Sequence, residues 1–363
     1  MLSDPFINPS LGSFSCISSI HPETKERSYS VSAYYQPVVK ILFDKAESGR
    51  PIRALGVECK HEGSTFVAYA SKEVILAAGP LQSPKILELS GIGDAQFLRE
   101  LGIDVTLDLP AVGENLQDHA VGSICFEAID TLDTLDALMR QEPEAIAQAM
   151  QDYGANRTGP MSHVGVSAYA YLPVNSIEGR QAVKEVLANN RPRSGEVSNL
   201  RDLAYFEVAE RTLSDPNKLT AAYLTFSAQT AYPLPGKFLT IGAMLSQPLS
   251  RGTVHIMSSD YSAPPVIDPK YLSNPIDMEV LAQHMLEIER IARAPSFGKL
   301  LKQPLRHGNP ASHFTSVEEA KQYLRDTVIS MWHVGCTCVM LPREKGGVVD
   351  TDLKVYGETN NSL

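Results

Sequence analysis

A mixed α/β fold with two sheets, each flanked by helices, is what this sequence predicts, and three observations carry the prediction. Short β-prone runs at 38–43, 53–59 and 66–70 lead into an apolar run at 73–79 that ends in Gly as a buried strand does. A second group of β-prone stretches, at 161–174, 219–232, 237–246 and 253–257, is bounded by Pro and Gly. Runs at helical spacing lie between and after these groups, the longest opening at Asn274 and Pro275. The 363 residues suffice for one large domain or two ordinary ones.

Each element has a local reason. Residues 1–37 are rich in Ser, Pro and Tyr without a sustained period, and read as an extended leading segment with little core of its own. The four runs from 38 to 79 look like one sheet. Ser83 before Pro84 offers an N-cap and a proline at the first helical position, with Ile86, Leu87 and Leu89 apolar and Gly91 as the stop. Asp94 can cap a second helix carrying Phe97, Leu98 and Leu101, after which Ile103, Val105, Leu107 and Leu109 alternate as in a half-buried strand. From Thr131 to Tyr153 apolar residues recur near helical spacing, and Pro143 splits that run into two helices.

The stretches from 161 to 257, with polar loops such as 189–196, make a second sheet. The helix from Asn274 has Asp277 and Glu279 in its positive first turn and Met278, Leu281, Met285, Ile288 and Ile291 on one face. Ser316 and Glu319 form a capping box for another helix, with Val317, Ala320, Tyr323 and Leu324 apolar. Both should pack on the second sheet. Stretches 347–350 and 353–357 are β-like.

Composition removes several function classes. With 43% hydrophobic and 20% charged residues the chain is globular, not fibrous or disordered. A net charge of −10 opposes a phosphate backbone, so no nucleic-acid partner is expected. No uncharged run approaches a membrane span, the start lacks a signal peptide's basic and apolar regions, and a cytosolic location is expected. Cysteines 16, 59, 125, 336 and 338 make neither a disulfide framework nor a zinc pattern; Cys336 and Cys338 read as small buried hydrophobes, and no metal is expected. There is no G-x-G-x-x-G, P-loop, H-E-x-x-H or G-x-S-x-G.

A longer pattern is present. Gly79-Pro-Leu-Gln-Ser83-Pro84-Lys-Ile-Leu-Glu-Leu-Ser90-Gly91-Ile92-Gly93 is followed by Val112-Gly-Glu-Asn115-Leu-Gln-Asp118-His119. Arg27-Ser28, Ala33-Tyr34-Tyr35, Pro248-Leu-Ser250-Arg251-Gly252, Pro265 to Leu272 and Trp332-His333-Val-Gly-Cys336-Thr337-Cys338-Val-Met340 follow the same family's order. These segments closely resemble the glucose–methanol–choline (GMC) oxidoreductases, over about 4–356, with 79–93 matching the family's second signature. The last motif resembles a fungal subgroup acting on alcohols of specialised metabolites.

The resemblance implies a partial Rossmann-like FAD-binding domain at 1–120, a substrate-binding domain at 121–330 whose antiparallel sheet lies over the flavin ring, and a truncated return to the FAD domain at 331–363. It implies oxidation of a small-molecule alcohol, with the hydride going to flavin N5 and the hydroxyl proton to an imidazole. His333 takes the place of the family's active-site histidine. Gly79, Pro80, Ser83, Asn115 and His119 are the implied cofactor-side positions, with His119 in a structural turn and Asn115 and Asp118 capping backbone. His61, His163, His255 and His284 read as surface or packing residues.

The family's opening glycine-rich βαβ unit and its later segment with a second catalytic His or Asn are not matched in this sequence, and a short deletion is implied after Pro37. FAD, the cofactor the resemblance implies, is therefore not expected to bind this chain on its own, a complementing N-terminal polypeptide is one candidate partner, and His333 is expected to lack its usual partner. The alternative is a flavin-free remnant: a small-molecule binding module, or a non-redox catalyst with His333 as base.

Overall fold

A computed structural model describes residues 12–15, 38–44, 51–61, 63–162, 165–174, 177–191, 200–230 and 234–363. Arg27, Ser28, Ala33, Tyr34, Tyr35, Cys16 and His163 lie outside them, as do residues 192–196 of the expected polar loop. In chain order the strands and helices begin with β1 (Gly12–Ser15), β2 (Val38–Phe43), β3 (Ala54–His61), β4 (Ser64–Tyr69), β5 (Val74–Ile75), α1 (Gly79–Leu89), β6 (Ile92–Gly93), α2 (Ala95–Glu100) and β7 (Leu107–Asp108). Next come β8 (Ala120–Glu127), α3 (Asp136–Met139), α4 (Pro143–Asn156), β9 (Val166–Leu172), α5 (Ile177–Asn189), α6 (Leu200–Ser214), β10 (Ala221–Phe226) and β11 (Phe238–Leu245). The chain closes with β12 (Thr253–His255), β13 (Val266–Asp268), α7 (Pro275–Arg293), α8 (Pro295–Gly298), α9 (Val317–Thr327), β14 (Ile329–Ser330) and β15 (Asn361–Ser362).

The large sheet is antiparallel throughout, in the order β1-β9-β10-β11-β8-β14. Alternation along β8 sends Ala120, Ile124 and Phe126 into a core shared with Leu239, Ile241, Leu281, Met285 and Ile288. The other face carries Val121, Ala222, Leu224 and Met244, with Tyr169, Tyr171, Phe226 and Met331 packed against them. Apolar cover on both faces explains why every residue of β11 is buried. Gly122 lets α7 and α9 close on the sheet, because a Cβ there would stand 2.6 Å from Met285 Sδ and 2.5 Å from Leu324 Cδ2. The buried His284 joins α7 to β10 through Thr220 Oγ1 and Tyr223 OH, both at 2.7 Å, and burial drives its pKa down to about 3, so it packs as a neutral ring.

The expected caps on α7, α9 and α2 are present. Asn274 accepts from the Ile276 amide at 2.9 Å, Ser316 and Glu319 form the capping box, and Asp94 accepts from Phe97 N at 2.8 Å. Pro143 does begin a new helix. Asp277 departs from the helix-dipole expectation: it is buried and accepts from the amides of Leu249 and Ser250 and from Ser250 Oγ, tying α7 to the loop before β12.

A second core gathers Ile41, Leu87, Ile92, Leu109, Val348, Val349 and Val355. Here the local reading needs correction. The runs from 38 to 79 are not one sheet: β2-β3-β4 form an antiparallel three-stranded sheet, whereas β5 is two residues long and pairs in parallel with β15. Asn360 decides this, bonding both the N–H and the carbonyl of Ala54 and also Lys72 O, so the later chain supplies β5's neighbour.

The 103–109 alternation yields only β7, parallel to β6, because Gly91 O is taken by the amides of Thr106 and Leu107 in a turn. Residues 253–257 do not join the large sheet; β12 pairs with β13. Stretches 347–350 and 353–357 make isolated bridges, not strands. Helices α5 and α6 and strand β8 were not expected; α5 and α6 are polar helices that bury only a few anchors, among them Val183, Leu187 and Phe206. Within the leading segment, β1 joins the edge of the large sheet.

Helix α1 begins at Gly79, not at Pro84. Pro84 sits inside the helix and has no N–H for the Pro80 carbonyl; the Thr337 hydroxyl donates to that carbonyl at 2.6 Å instead. Ser83 Oγ accepts from the Ala78 amide at 3.2 Å. The helix stops where Gly91 takes φ +84°, with a Cβ there 2.3 Å from Asp104 O. Its buried Glu88 accepts from Ile256 N at 2.9 Å and lies 2.6 Å from His255 Nδ1, while Glu114 Oε1 stands 3.3 Å from Nε2. Burial alone would lower the His255 pKa, yet its bonds to Glu114 and Glu88 raise it to about 9. Burial lifts the Glu88 carboxyl against these bonds.

Candidate active site

Two distant segments meet because they share one ladder. β14 pairs with the start of β8, Ile329 opposite Val121 and Ser330 opposite Ala120, and Met331 N donates to His119 O at 3.1 Å. Pairing resumes at Gln117 and Gly335, whose amides and carbonyls exchange bonds of 3.0 and 2.9 Å. From Met331 to Gly335 the later strand advances four residues while its partner retreats two, so extra chain is extruded there as a bulge. Trp332 at φ +57° and Cys336 at φ +69° mark its ends, and His333 lies between them.

An extruded segment leaves amides without ladder partners, and side chains supply them. Asp118 Oδ1 accepts from His333 N at 3.0 Å and from His119 N at 2.8 Å. Its Oδ2 accepts from Tyr271 OH and Ser330 Oγ, and Ser330 Oγ accepts from Trp332 N at 2.7 Å. Burial and the Asp118 bond push the Tyr271 phenol up to about 12, so it stays a donor at neutral pH. One buried carboxylate thus fixes the backbone of both histidines.

The imidazoles face each other edge to plane, with Nδ1 atoms 3.1 Å apart and ring centroids 5.2 Å apart. A single proton must lie between those nitrogens, one ring donating and the other accepting. Burial, and then the charge of a protonated His333, lower the His119 pKa, against the pull of Asp118. Both rings line a cleft of about 430 Å³ with Tyr205, Val208, Leu249 and Arg251. Arg251 lies over the Tyr205 ring at 4.4 Å and bonds Asn115 Oδ1 and the carbonyls of Pro248 and Ser250.

The other positions singled out in the sequence fall differently. Asn115, at φ +66°, is buried and spends its side chain on Cys336 O and Arg251 Nε. The Pro80 carbonyl and Ser83 hydroxyl are held inside the fold as described. Gly79 is exposed, and a Cβ at that position would meet nothing within 4 Å. Cys336 is exposed on the cleft, contrary to the buried reading, because its left-handed backbone turns it out of the ladder; Cys338 is partly buried, and both are free thiols. Asp118, read from sequence as a backbone cap, also bridges the two histidine segments; its place between Gln117 and His119 gave no sign of a contact more than 200 residues away. As a flavin site, the described residues fit the reacting ring, with paired imidazoles at an open cleft that Val208 and Leu249 also line. Among the carried-over positions, Gly79 is exposed and Pro80 and His119 are half-buried, whereas Ser83 and Asn115 are buried.

Family models described as GMC oxidoreductase match residues 20–121 and 248–361, for the N- and C-terminal parts respectively. The chain belongs to the GMC oxidoreductase family. It is 30% identical over 392 residues to the dehydrogenase mpl7 of Monascus purpureus, covering 98% of this chain and 61% of that protein. An FAD-dependent oxidoreductase from Chaetomium thermophilum superposes with a TM-score of 0.80 at 29% identity, covering 99% of this chain and 63% of the other. A fungal aryl-alcohol oxidase gives 0.76 at 26% identity, covering 97% and 62%. This GMC chain spans about three fifths of the length of such relatives. Among the described residues, no helix is long and apolar enough to cross a membrane.

Proposed function

We propose that this GMC chain serves the oxidation of a small-molecule alcohol, on a specialised metabolite or a similar compound, with His333 as the base that takes the hydroxyl proton. The contact that carries the reading is the 3.1 Å approach of His119 and His333 at the cleft. A bound FAD would supply the hydride acceptor.

The chain's own residues handle the proton. A neutral His333 that donates its Nδ1–H to His119 keeps a free Nε2 lone pair for the hydroxyl. When His333 becomes imidazolium, its Nδ1–H still needs an acceptor, and a neutral His119 provides one. Burial favours that neutral form. Asp118 orients both rings through their backbone amides. Val208 and Leu249 give the substrate an apolar wall, and Gly79, Pro80 and His119 keep surface on the cofactor side.

With flavin bound and a productive alcohol, His333→Ala should lower turnover by roughly 10²–10⁴-fold, with flavin absorbance and circular dichroism unchanged. Turnover equal to the parent's removes His333 from the reaction. A flavin-free binding or non-redox role is favoured by one observation, the internal commitment of Pro80, Ser83 and Asn115. Purified protein without flavin absorbance, and unable to take up added FAD, would select that second reading.

A further inference from the structure

Toward the far end of β8 from the histidine pair, α7 meets the loop that follows α8. Gly308 N donates to Cys125 O at 2.7 Å, Glu127 N donates to Arg306 O at 2.9 Å, and His307 bridges to Phe126, so this loop is laid along the far end of β8. It brings two imidazoles to Glu289 on the last turns of α7. His307 Nε2 contacts Glu289 Oε1, and His313 Nδ1 lies 3.9 Å from the same oxygen. The two rings lean on each other with centroids 5.1 Å apart.

We propose that Glu289, His307 and His313 form a binding site for a divalent transition ion such as zinc. Their ligand atoms all lie within 4.8 Å of one another. Two ligands about 2.1 Å from a tetrahedral zinc sit about 3.4 Å apart, so one modest side-chain movement closes the set. The member free to move is at hand: the His313 side chain is 60% exposed, whereas Glu289 and His307 are 14% and 8% exposed and fix the base of the site.

A second observation points the same way. Glu289 Oε2 is buried with no hydrogen-bond donor, and Arg293 Nη2, which stands 3.4 Å from it, belongs to a side chain 60% exposed and able to swing aside. Two imidazoles and one carboxylate suit zinc's preference for nitrogen and oxygen, with a fourth position left for water. Binding requires His307 Nε2 to give up the proton it shares with Glu289, either to solvent or by moving to Nδ1.

Seven residues of chain separate Phe126 from His119, roughly 23 Å of strand, so the site is distinct from the cleft. Its effect would be to clip the 301–313 loop to α7.

The test is zinc titration of the full chain after chelator treatment and dialysis, by calorimetry and by thermal melting. One equivalent should bind and raise Tm. His313→Ala, at an exposed position, should leave circular dichroism and the metal-free Tm unchanged while weakening zinc binding roughly tenfold or more. Glu289→Gln should weaken it likewise. Cobalt(II) should show the visible bands of a tetrahedral site in the parent and lose them in His313→Ala. Substoichiometric binding overturns the proposal. So does equal zinc affinity in His313→Ala, which would place the ion on other groups such as His119 and His333.

Discussion

Helix α1 and the bulge at 331–335 both belong to long family motifs, yet they use their polar groups in opposite ways. In α1 the Pro80 carbonyl, Ser83 hydroxyl and Glu88 carboxylate are all consumed by the fold, each by a named partner. In the bulge the backbone is satisfied by Asp118 and Ser330, which leaves the imidazole of His333 on an open cleft. A strong motif therefore marks two different things: atoms that build a shape, and atoms that the shape leaves free to react.

The widest effect is expected where the open region hangs on one carboxylate. Asp118→Ala removes the acceptor for two amides and two hydroxyls and should cost about 3 kcal/mol in denaturant unfolding. Asp118→Asn keeps one acceptor oxygen for the two histidine amides and should cost less, the loss falling on the Tyr271 and Ser330 hydroxyls. Stability unchanged in Asp118→Ala would dissolve the contrast between the regions.

The committed region should reveal itself through pH. His255 carries its proton between Glu88 and Glu114 up to about pH 9, whereas in the unfolded chain it loses it near 6.5. Below 6.5 both states are protonated and the ion cluster contributes fully. Between 6.5 and 9 only the folded state keeps the proton, so stability should fall as pH rises, by about 3 kcal/mol in all. His255→Gln should flatten that slope in unfolding curves taken across this window. A slope that survives the substitution would assign it to other groups.

The smallest expected effect sharpens the account of α1. Thr337→Val leaves the Pro80 carbonyl without a donor and should cost about 1–2 kcal/mol, with Thr337→Ser restoring most of it. A neutral Thr337→Val in chemical denaturation would mean that water serves the carbonyl equally well.

Much of this was legible locally. The caps at Asp94, Asn274 and Ser316, the helix break at Pro143 and the strands β2, β3, β4 and β11 all rest on interactions spanning only a few residues or on a simple alternation. The polar helices α5 and α6 escape a sequence reading because their few apolar anchors give a weak stripe. Local signals place the start of α1 too late because Ser83-Pro84 imitates a helix start, and the hydroxyl that lets Pro84 sit inside the helix comes from Thr337, 257 residues from the carbonyl it serves.

By itself, the sequence determined the chemistry available: which segments follow the family's order, that His333 stands in its histidine motif, and which helices have their own start signals. Tertiary structure alone decided who meets whom. His119 pairs with His333 across 214 residues, Asn360 supplies the pairing that makes β5 a strand, and His307 reaches Glu289, because strand register and helix packing bring together groups that no local period connects. Hydrogen bonds act over about 3 Å of space without regard to chain separation, and so the same residue type became a neutral packing ring at 284, a charged clamp at 255 and an open imidazole at 333.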